Sequence, residues 1–67
     1  RPAVLNASNE VAVAAFLDGR ISFVAIVETV MAALAAVPGM PANTLEQVVE
    51  VDRQARLAAL NHISSLT

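Results

Sequence analysis

Phe23, Ile26, Val27, Val30, Met31 and Leu34 recur at helical spacing within Ile21 to Val37 and form one apolar stripe. The stripe predicts a helix. Ser22 stands just before it, where a hydroxyl can accept a bond from a free first-turn amide. Pro38-Gly39 predicts the stop, and Pro41 keeps the next residues out of the helix. Upstream, Leu5, Ala12, Val13, Phe16 and Leu17 give a core face for an earlier helix. That helix closes at Asp18-Gly19-Arg20. Gly19 can take the left-handed conformation, and Arg20 can sit near the negative end. The link from Gly19 to Ile21 is short, so the first two helices are expected to be neighbours, antiparallel or crossed.

A third element starts at Asn43-Thr44-Leu45-Glu46-Gln47. Thr44 with Gln47 three residues on is a capping box. Leu45, Val48 and Val49 are its core candidates. Valines at 48, 49 and 51 weaken a helix, and Asp52 is a good N-cap. The expectation is a short helix, a bend near Val51, and a second helix through Ala55, Ala58, Ala59 and Ile63. Glu50–Arg53 and Asp52–Arg56 have helical spacing, each pair adding ~0.2–0.5 kcal/mol. The tail Ser64 to Thr67 is expected to fray. The fold class predicted is all-α, a small bundle of three to four helices.

Composition changes the picture at one point. A chain of 67 residues is one small domain, and 57% of it is hydrophobic, above the usual soluble share. It has no cysteine, so neither a disulfide nor a thiolate metal site can staple so short a chain. An apolar face left for something else to cover is expected. The chain also opens at Arg1, not Met. Together these predict a piece of a larger protein, or a subunit that assembles. Lysine is absent and the net charge is −2, which argues against nucleic-acid binding. No secretory signal pattern is present, and the absence of cysteine fits a reducing cytosol, so a cytoplasmic location is expected. The stretch Ile21 to Val37 is short and carries Glu28, which argues against a membrane span.

Candidate chemistry is sparse. Asn6, Asn9 and Glu10 stand at i, i+3 and i+4, one face of a helix. Asn6 could be an N-cap. Pro2 favours an earlier start, which places both asparagines inside the helix, where Asn is a mediocre former. Carboxamides suit a domain joint, because each offers two donors and two acceptor sites. A catalytic role would need a nucleophile, base or metal partner, and none is evident. Asn6-Ala7-Ser8 fits the N-glycosylation pattern, set aside because nothing indicates secretion. His62 lacks the partners of a metal site or triad and is expected at the surface near a helix C-terminus. Arg53 and Arg56 could grip a phosphate, but Glu50 and Asp52 already offer them partners. Glu46 and Glu50 could be paired carboxylates, yet no third ligand is suggested. Gly19 and Gly39 are too few for a phosphate loop.

Leu5-Asn6-Ala7-Ser8-Asn9-Glu10, then Ala14-Ala15-Phe16-Leu17 and Arg20-Ile21-Ser22-Phe23, resemble the opening of a known domain. It is the C-terminal helical domain of the 1-deoxy-D-xylulose 5-phosphate reductoisomerase family. Thr44 to Arg56, ending in Asp52-Arg53-Gln54-Ala55-Arg56, resembles that family's second hallmark, Asp-x-x-Ala-Arg. Two departures stand out: Ser8 replaces the usual Ala, and the sequence beyond Arg56 follows no recognisable family pattern.

The resemblance implies a three-part enzyme with a nucleotide-binding domain, a catalytic domain and this helical one. Such an enzyme makes 2-C-methyl-D-erythritol 4-phosphate with NADPH and a divalent cation (Mg, Mn or Co), in non-mevalonate isoprenoid synthesis. It implies a homodimer, with the catalytic domain as partner of residues 1–67. No catalytic, cofactor-binding or metal residue of the family maps onto this chain. The Leu5 to Glu10 segment would be the start of a domain-joining helix. The rival from another class is a free-standing module that dimerises through the Phe23–Leu34 stripe.

Overall fold

Three helices form where caps and breakers direct them: α1 Pro2–Leu17, α2 Phe23–Ala36 and α3 Leu45–Leu66. The computed structural model describes residues 2–37, 39 and 41–66, Pro2 by its backbone alone. There is no strand among the described residues. α1 starts at Pro2, so Asn6 is not a cap and both asparagines lie inside the helix. It closes in a Schellman turn. Gly19 has φ +78°, the Arg20 amide donates to Ala15 O at 2.9 Å, and the Gly19 amide donates to Phe16 O at 3.0 Å. α2 is capped by Ser22, whose Oγ accepts from the Ala25 amide at 3.2 Å. It ends on Val37, whose amide donates to Ala33 O at 3.1 Å, and the expected breaker Pro38 lies outside the described residues.

The capping box of α3 is complete. The Gln47 amide donates to Thr44 Oγ1 at 3.1 Å, and Gln47 Oε1 accepts from the amides of Thr44 at 3.2 Å and Asn43 at 2.8 Å. The bend expected near Val51 is absent, and α3 is one helix of 22 residues. Two side-chain facts explain the continuity. Val51 is buried against α1 and α2, so tertiary packing outweighs the weak propensity of the valines. Asp52, the expected cap, instead accepts from Arg56 Nε one turn ahead, at 2.8 Å. The expected fraying of the tail is also corrected. Ser64 to Leu66 remain helical, and Ser65 Oγ donates to His62 O at 2.6 Å. Thr67 lies outside the described residues.

The helices run up, down and up. Val4 and Ala7 of α1 share a cluster with Ala33 and Val37 at the end of α2 and with Val51 and Ala55 in the first half of α3. α1 and α2 are therefore antiparallel neighbours, as the short link requires, and α3 runs parallel to α1. The body measures 36 × 18 × 15 Å.

The core is made of small residues. Seven of the twelve buried apolar residues among those described are alanines: Ala7, Ala12, Ala15, Ala25, Ala33, Ala55 and Ala59. Small side chains let helix axes approach closely. The large apolar side chains point outward instead, and several expectations fail for that reason. On α1, Ala12 is buried and Val13 half-buried, but Leu5, Phe16 and Leu17 are exposed. On α3, Val51, Ala55, Ala59 and Ile63 form the buried row, while Leu45, Val48 and Val49 are exposed. On α2 the buried row is Ala25, Thr29, Val30 and Ala33. At 100° per residue this row is turned by roughly a quarter of the circumference from the centre of the Phe23–Leu34 stripe.

Candidate functional site

The polar face of α1 is presented to solvent. Asn6, Asn9 and Glu10 are all exposed. Glu10 is tied to the third helix. Its Oε1 accepts from Arg56 Nη2 at 3.0 Å, while Arg56 Nε donates to Asp52 Oδ2 at 2.8 Å. Asp52 and Glu10, accepting these bonds, push the Arg56 guanidinium further above its ordinary value. The three residues clamp α1 to α3 across a separation of 46 positions, a contact that no local spacing announces.

Glu50 is equally committed. Arg53 grips it with two bonds, Nε to Oε1 at 3.0 Å and Nη2 to Oε2 at 2.6 Å, and Gln54 Nε2 adds a third at 2.8 Å. The bond from Arg53, then that from Gln54, hold its carboxyl down at about 2 from an ordinary 4.5. The Arg53 guanidinium is raised by the same contact. Both expected ion pairs are therefore present, and both arginines are spoken for by carboxylates. Glu46 stands in the first turn of α3, where its charge suits the positive helix end, and Glu50 is turned to Arg53.

Two buried hydroxyls escaped the sequence reading. Ser8 Oγ donates to Val4 O at 2.6 Å, and Thr29 Oγ1 donates to Ala25 O at 2.7 Å. Each satisfies itself on the carbonyl one turn back, so neither is free as a nucleophile. The expectation of a surface His62 needs correction. The residue is half-buried, and its Nε2 is enclosed without a hydrogen-bond partner among the described residues. The cause is its place one residue before buried Ile63 on the packed side of α3. No three His, Asp or Glu side chains of the described residues come together as a metal site. An open groove between α1 and α3 is lined by Val11, Ala14, Leu17, Leu60 and Ile63, with Asp18 and Arg20 as its charged residues. It brings no acid–base pair or nucleophile to a common point.

The described side chains hold the helices together and leave polar and large apolar residues exposed. A family model described as the DXP reductoisomerase C-terminal domain matches residues 1–58.

The chain belongs to the DXP reductoisomerase C-terminal domain family.

Individual relatives agree. A 1-deoxy-D-xylulose 5-phosphate reductoisomerase of Paraburkholderia phytofirmans is 50% identical over 96% of this chain and 16% of its own length. One from Cupriavidus necator is 49% identical over 97% of this chain, and one from Xanthomonas oryzae pv. oryzae is 53% identical over 82%. The chain thus spans about 16% of the length of the curated relatives it matches most fully. No solved structure matches it. The family model ends at residue 58, but the Cupriavidus necator relative aligns over 65 of the 67 residues, so the likeness continues beyond Arg56, where the sequence reading found no family pattern. These matches give the free-standing dimerisation module no support. Among the described residues, no helix is long and apolar enough to cross a membrane.

Proposed function

We propose that this chain is the C-terminal helical domain of a 1-deoxy-D-xylulose 5-phosphate reductoisomerase and that it buttresses the enzyme's catalytic domain without supplying reacting groups. One observation carries the reading. The bundle hides alanines and turns its large apolar residues outward, an arrangement suited to a layer inside a larger body. Apolar burial against that body, at ~25 cal/mol per Å² covered, would hold the domain in place. The exposed Asn6, Asn9 and Glu10 are the polar joint at its edge.

The whole enzyme would rearrange and reduce its substrate to 2-C-methyl-D-erythritol 4-phosphate with NADPH and a divalent cation, in the cytoplasm, as a homodimer without nucleic-acid or membrane partners. The described residues of this chain do not fit a metal site, because no three acidic or histidine side chains converge. The cation and NADPH would be held by the other domains.

Two measurements test the reading. The protein translated from the complete reading frame should oxidise NADPH in the presence of 1-deoxy-D-xylulose 5-phosphate and Mn²⁺. The 67-residue chain alone should give no heat of binding with NADPH or Mn²⁺ in calorimetry. An inactive full-length protein, or a micromolar site on the short chain, would refute it.

A further inference from the structure

We draw no further inference here: the strongest candidate, the open groove between α1 and α3 lined by Val11, Ala14, Leu17, Leu60 and Ile63, is an apolar surface for which nothing in the structure shows what covers it.

Discussion

Ser8 and Thr29 are buried hydroxyls on different helices, and each is satisfied by the carbonyl four residues back. Such a bond competes with the helix's own amide for the same oxygen, so its net worth is small. At Ser8 the comparison is sharp, because the family pattern places Ala there. Losing the hydroxyl removes a bond worth ~0.5–1.5 kcal/mol, while Ala regains ~0.5 kcal/mol of helix propensity and leaves no unsatisfied donor. Ser8→Ala should therefore stay within about 0.5 kcal/mol of the parent in urea unfolding of the full-length protein. Ser8→Val should cost ~1–3 kcal/mol, because the site is fully enclosed and an added methyl has no room. Equal losses for both would mean that the hydroxyl itself holds the seam. Gly19 is the converse case. A Cβ there would meet nothing within 4 Å, so the strain of Gly19→Ala comes from φ alone, ~1–2 kcal/mol.

Among the elements, α3 carries the electrostatics. The carboxyl of Glu50 is held at about 2 by Arg53 and Gln54, below its ordinary 4.5. A folded pKa lower than the unfolded one means that the contact stabilises fully above 4.5 and is lost as pH falls through about 2. Protection of the α3 amides relative to the unfolded exchange rate at each pH should fall across that window, and Glu50→Gln should flatten that fall. Solvent screening keeps the effect modest, since the Glu50 side chain is 41% exposed. An unchanged fall in the variant would show that the pair adds nothing to α3.

What the sequence disclosed at this scale was its local chemistry. Ser22, the Thr44–Gln47 box, Gly19 and both i-spaced ion pairs stand as their spacing required, because each involves residues within a few positions. The continuity of α3 was hidden, because it depends on Val51 meeting Val4 and Ala33 from other helices. The Glu10–Arg56 clamp was hidden for the same reason. The core faces of α1 and α3 were misjudged at Leu5, Phe16, Leu17, Leu45, Val48 and Val49, because side-chain size was taken as a sign of burial, whereas here alanine marks the seam. The joint residues Asn6, Asn9 and Glu10 were legible as one face, but Ser8 beside them, the one that is buried, was not.

For the whole molecule, an interior of alanine limits what the bundle can gain from its own packing, while Phe23, Val24, Val27 and Met31 leave their apolar area in water. Apolar burial is the dominant favourable term in folding, so if the outward residues are covered as proposed, that cover adds much of the domain's stability. Substitution at Val27 and Met31 should therefore act with opposite sign in two settings. In the 67-residue chain alone, Val27→Gln and Met31→Gln remove nothing from the core and reduce the exposed patch. They should lower aggregation in sedimentation and leave helicity by circular dichroism unchanged or higher. In the full-length protein the same changes put an amide into a covered apolar surface, at a cost of ~1–3 kcal/mol each. The melting temperature should fall there by several degrees. If both settings responded alike, or if the short chain melted cooperatively as a monomer with its large side chains protected, the bundle would be self-sufficient and the outward residues merely surface.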